Sequence, residues 1–218
     1  MSPAGSLSAK SRVVLAFLII VSVLLLLIGG WIIPFKFESF SILYKFGQGK
    51  IYLRYGKVAG ITIALLIFYQ VLLASRFVVF KQVLSAKGLL ALHRFNGIAI
   101  TILAGVHPLL IKASDNFTPY TFVKKYYPEF LGIGLLCVLL AFSLAAVFRN
   151  FLKISYKKWI LWHRLGATLV LLLMPSHILN VSETFKSGLP RRAALIILSL
   201  NLLMILRIWL YRIIKKNL

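Results

Sequence analysis

Four histidines, His93, His107, His163 and His177, are the residues of this 218-residue chain whose type and spacing could do chemistry. They fall into two pairs with the same separation of 14 positions, 93 to 107 and 163 to 177. On an α-helix 14 residues return to within about 40° of the starting direction and climb about 21 Å. A helix carrying such a pair presents two imidazoles on roughly one face, one towards each end. A neutral imidazole can ligate a metal or join a polar network, and a lone helical His is usually the latter. The repeat of one spacing on two apolar segments weighs towards function, because ionisable side chains within a membrane are costly and rare.

The elements that must position these residues follow from composition. Hydrophobic residues make up 61% of the chain and charged residues 14%, against about 45–50% and about 25% in soluble domains. The composition argues against a soluble enzyme and excludes a disordered chain. A bilayer core of about 30 Å needs roughly 20 apolar residues per helix. Six segments meet or approach that length, at about 13–33, 58–80, 88–111, 130–148, 159–181 and 193–214. The expected fold is all-α, a polytopic membrane protein forming one six-helix domain over residues 1–218. The first segment is longer than the roughly 7–15 apolar residues of a signal peptide, so it reads as a retained helix. The connection 34–57 carries Phe35, Phe37, Phe40, Tyr44, Phe46, Tyr52 and Tyr55 among basic residues, which suits a segment lying in the interface. Cys137 is the single cysteine, so an intrachain disulfide and a thiolate metal cluster are excluded.

Lys and Arg number 26 against 4 Asp and Glu, a formal charge of +22. The bases lie between apolar runs rather than in one patch, so membrane lipid headgroups are the expected counter-charge and nucleic acid is not. The side holding both termini and the 76–94 and 149–164 regions carries 15 of the bases. The other side carries 11, with all four acids, Glu38, Asp115, Glu129 and Glu183. The positive-inside rule then puts both termini in the cytoplasm, in a plasma or bacterial inner membrane.

With one crossing between them, the third and fifth helices run in the same direction. His93 therefore shares a level with His163, and His107 with His177. Two imidazoles on one metal each approach to about 2 Å, which partners about 21 Å apart on one helix cannot do. The expectation is two stacked bis-His sites between helices 3 and 5. Zinc and copper sites usually take three or four ligands, often with a carboxylate or thiolate, and neither helix supplies one. Two axial imidazoles in apolar surroundings suit haem, whose macrocycle supplies the other four nitrogens. Gly97, Gly105 and Gly166 lie near these histidines and would let a flat ring approach, or serve ordinary helix packing. Arg94 and Arg164 directly follow His93 and His163; they reach headgroups or haem propionates, and Arg207 has the same two readings. Pro108 and Pro175 should bend their helices.

The stretches LHRFNGIAITILAGVHPLLI and LWHRLGATLVLLLMPSHIL closely resemble the third and fifth helices of the ferric reductase-like transmembrane domain. That family includes ferric reductases and the membrane core of NADPH oxidases. The resemblance implies six helices and two b-type haems, with His93, His107, His163 and His177 at the four ligand positions. It also implies electron transfer from a cytoplasmic flavoprotein to an outer acceptor, ferric iron or oxygen. Full-length members continue into flavin and nicotinamide domains. This chain runs to Leu218 without a Gly-rich dinucleotide loop, so FAD or FMN is expected on a partner or on a missing domain. Arg76, Lys81, Lys87, Arg149, Lys153, Lys157 and Lys158 would steer an acidic flavoprotein surface, unless they serve only the positive-inside bias. Competing readings are the haem-binding subunit of a methionine sulfoxide reductase-type system, a quinol-linked cytochrome b subunit, and a haem-free transporter or assembly protein.

Overall fold

A computed structural model describes residues 8–37, 46–75 and 78–216. In hydrocarbon every backbone N–H and C=O must be paired within the segment, which leaves an apolar chain the helix as its open-ended solution. The described residues form α1 (Ala9–Lys36), α2 (Gly47–Ala74), the short α3 (Val78–Val83), α4 (Ala86–Ser114), α5 (Tyr127–Val147), α6 (Tyr156–Val181) and α7 (Gly188–Lys216). Single 3-10 turns at Lys124–Tyr126 and Glu183–Phe185 lead into α5 and α7. Ser8 and Ser85 cap α1 and α4 by accepting from the N–H groups of Ser11 and Gly88, both at 3.1 Å. All but α3 are long and apolar enough to cross a membrane, giving six candidate spans among the described residues. Their outward faces are apolar: Val13, Phe17, Phe95, Ile102 and Leu172 are all exposed. The protein is a multi-pass membrane protein whose outer surface is made for lipid.

The long axis of packing runs along two antiparallel pairs, α2 with α4 and α5 with α6. Helix α1 leans on α2, and α7 lies against α6 and α2. Helices α4 and α6, which carry the histidines, are not closely packed against each other. The central core joins the two pairs through Ile67, Val71, Ile100, Leu135, Val170, Leu171, Met174 and Leu198. Side-chain hydrogen bonds tie neighbours across the apolar interfaces: Trp31 Nε1 to Thr62 Oγ1 at 2.8 Å, Thr101 with Ser143 at 2.6 Å, and Trp209 Nε1 to Thr168 Oγ1 at 3.2 Å. Each such bond adds about 0.6 kcal/mol in a membrane.

The second crossing differs from the expected 58–80. It begins at Gly47 and ends at Ala74, and a separate short helix follows. Lys50, Arg54 and Lys57 recur at i, i+4 and i+7, so one helix face gathers them and the helix does not have to stop. Arg54 lies over the Phe35 ring at 5.2 Å, and Lys57 Nζ donates to Thr184 Oγ1 at 3.0 Å. At 28 residues α2 is already about 42 Å long, well over the hydrocarbon thickness, so continuation to residue 80 would leave the bilayer. Of the expected interfacial connection 34–57, residues 34–36 are helical in α1 and 47–57 in α2. Of its aromatics, Phe40 and Tyr44 lie outside the described residues, as do Glu38 and Arg76.

Gly30 shows how closely α1 approaches α2. A Cβ there would sit 2.8 Å from Ile61 Cγ2 and 3.2 Å from Leu65 Cδ1, whereas one on Gly29 would meet nothing within 4 Å. Gly30→Leu should therefore cost about 1–3 kcal/mol through overpacking, read as a lower thermal midpoint in detergent. Gly29→Leu should stay within about 0.5 kcal/mol of the parent. Equal shifts in the two variants would contradict the packing.

Candidate functional site

The four histidines meet in two pairs. His93 on α4 and His163 on α6 have ring centroids 6.1 Å apart, inclined at 78°. His107 and His177, further along the same helices, have centroids 6.5 Å apart, inclined at 85°. Two imidazoles on opposite sides of one metal each place a nitrogen at about 2 Å, with the ring centre roughly 1 Å behind it. Their centroids should then stand about 6 Å apart, the spacing found at both levels. Among the described residues no three His, Cys, Asp or Glu side chains come together as they would around a metal ion. What the fold assembles is two pairs.

At the 107/177 level both rings are held by backbone carbonyls from neighbouring helices. His107 Nδ1 lies 2.8 Å from the carbonyl oxygen of Gly56 on α2. His177 Nδ1 lies 2.8 Å from that of Pro128 on α5. A carbonyl can only accept, so Nδ1 carries the proton in each ring. Nε2 then keeps the lone pair that a metal would take.

The 93/163 level is built from side chains instead. Gln70 on α2 donates from Nε2 to the His93 carbonyl at 2.9 Å and reaches His93 Nε2 at 3.3 Å. Its Oε1 accepts from Asn96 Nδ2 at 2.8 Å, and the same amide donates to the Leu66 carbonyl at 2.8 Å. His163 packs beside Trp159 at 5.2 Å, with Phe142 at 6.3 Å from its ring. The Nδ1 atoms of His93 and His163 are buried without a hydrogen-bond partner. A buried polar atom left in that state costs about 1–3 kcal/mol.

Of the glycines singled out in the sequence, two sit in close contact with side chains and one faces open space. Gly97 faces Gln70 Nε2, Gly166 lies against the Phe142 ring, and a Cβ on Gly105 would meet nothing within 4 Å. The glycines that touch histidines are Gly60, beneath His107, and Gly132, beneath His177. Both sit on helices without a histidine, so spacing along α4 and α6 could not point to them. Arg94 and Arg207 are exposed and Arg164 half-buried. Pro108 and Pro175 lie inside α4 and α6, which continue through them.

The model of the ferric reductase-like transmembrane component matches residues 56–174, more than half of the chain. The chain belongs to that family. The matched region holds His93, His107 and His163 and ends three residues before His177. Membership makes this ferric reductase-like protein an oxidoreductase-type membrane component. Comparison with curated proteins and with solved structures gives no match.

The Gln70–Asn96 bond gives a direct test of the side-chain network. Gln70→Leu and Asn96→Leu should each lower stability by about 1–2 kcal/mol, measured as thermal unfolding in detergent. The double variant should fall short of the sum, because both residues belong to one network. Strict additivity would separate them.

Proposed function

We propose that this protein moves single electrons across the membrane with two b-type haems, one held by His93 and His163 and the other by His107 and His177. The observation that carries the reading is the imidazole spacing, 6.1 and 6.5 Å between centroids, repeated at two levels of the same two helices. When bound, haem supplies one-electron redox chemistry, and its macrocycle supplies the four nitrogens these pairs lack.

The residues of the chain divide the remaining work. The four imidazoles hold the groups. The carbonyls of Gly56 and Pro128 fix the tautomer and the rotation of His107 and His177, and raise their basicity as ligands. Arg94 and Arg164 stand next to the cytoplasmic-level histidines, in reach of acidic headgroups or propionates. The apolar core between the levels excludes water.

Both termini face the cytoplasm in this reading, so His93 and His163 form the inner level. The donor is a cytoplasmic flavoprotein, with FAD or FMN on a partner or on a further domain. The acceptor is ferric iron or oxygen on the outer side. Lys81, Lys87, Lys153, Lys157 and Lys158 are exposed and Arg149 half-buried at the donor side, a basic surface for an acidic partner. An inside-negative potential favours outward electron movement by about 2.3 kcal/mol per charge per 100 mV.

Two measurements test this. A pyridine haemochrome assay on purified protein should give about two extractable haems per chain; one or none would falsify the two-site reading. His107→Ala combined with His177→Ala should remove one haem and keep the other, because the levels lie about 21 Å apart along the helices. In proteoliposomes with donor inside and ferric chelate outside, that variant should accept electrons but leave the chelate oxidised. Chelate reduction at the parent rate would end the serial model.

A further inference from the structure

The two helices that support the 107/177 pair use one device. On α2 the carbonyl of Gly56 accepts from His107, and four residues on, Gly60 lies under the same ring. On α5 the carbonyl of Pro128 accepts from His177, and four residues on, Gly132 lies under that ring. The repeat has a physical cause. A helical Cα–Cβ bond tilts towards the N-terminus, so a side chain at i+4 covers the turn that contains carbonyl i. The carbonyl is then open to a neighbouring helix where position i+4 has no Cβ. A Cβ on Gly60 would stand 3.0 Å from His107 Cε1 and 3.2 Å from Nδ1. One on Gly132 would stand 2.6 Å from His177 Cε1 and 3.0 Å from Nδ1. The 93/163 level has no such arrangement, since Gln70 serves His93 there.

We infer that Gly60 and Gly132 are positioning residues for the haem that the 107/177 pair would hold: each uncovers a helix carbonyl that fixes one imidazole of the pair in rotation and tautomer. This rests on the proposed haem ligation and adds to it a cause for a difference between the two levels. Losing the Nδ1–H···O=C bond weakens the imidazole as a donor, which favours the ferrous iron and raises that haem's midpoint potential. The closer contact makes Gly132→Ala the stronger variant and Gly60→Ala the milder one.

The test is a redox titration with low-temperature electron paramagnetic resonance on the purified full chain. The 107/177 haem is identified as the component missing from the His107→Ala, His177→Ala protein. Gly134→Ala is the control, on the same helix with nothing within 4 Å of the added Cβ. In Gly132→Ala the 107/177 component should rise in potential and change its low-spin signature, and its haem should be retained about 10–100-fold more weakly. The 93/163 component should stay at its parent position, which reports that the chain is folded. Gly60→Ala should shift the same component by less, and Gly134→Ala should match the parent. An unchanged 107/177 component in both Gly132→Ala and Gly60→Ala, or an equal change in Gly134→Ala, overturns the inference. A parent protein that binds no haem overturns the proposed function itself, so the two failures are distinguishable.

Discussion

An imidazole in hydrocarbon has two nitrogens to occupy and no water to occupy them. At the 107/177 level a backbone carbonyl takes one nitrogen of each ring, at 2.8 Å in both cases, and the proton is thereby fixed on Nδ1. The arrangement of helices follows from this. Carbonyls of α2 and α5 reach the rings of α4 and α6 because α2 packs closely on α4 and α5 on α6. Between the two levels the pairs meet through the apolar core that includes Ile100, Val170 and Leu171.

The two levels answer the same demand with different materials. A side-chain network such as Gln70 and Asn96 can be adjusted one substitution at a time, and its amides can rotate. A helix carbonyl cannot be substituted away and cannot turn without unwinding its helix. The 107/177 level is therefore the stiffer of the two, and its sensitivity lies in the residues that cover the carbonyls. The 93/163 level keeps unpaired nitrogen atoms and an aromatic neighbourhood of Trp159 and Phe142.

Much of this was legible in the sequence, for definable reasons. Histidine is rare and its 14-residue spacing is a property of one helix, so the pairing of 93 with 163 and 107 with 177 followed from direction alone. Six crossings followed from apolar length. The start of α2 did not, because Lys50, Arg54 and Lys57 interrupt the apolar run; their i, i+4, i+7 recurrence is the signal that a helix continues through them. Gly56 and Pro128 were beyond sequence reasoning, since every residue carries a carbonyl and nothing in its type marks the one that is used. Gly60 and Gly132 become readable only once it is known which helix lies beside which.

Each half of the chain sets up its own imidazoles. His93 and His107 find their hydrogen-bond partners on α2, and His177 finds its partner on α5. During synthesis the first half can complete α1 to α4, with both of its rings already oriented, before α5 and α6 emerge. A half-made chain then displays one histidine at each level and never two. Each pair of rings is complete only after α6 has inserted, so both levels close at one late step set by the order of the helices alone.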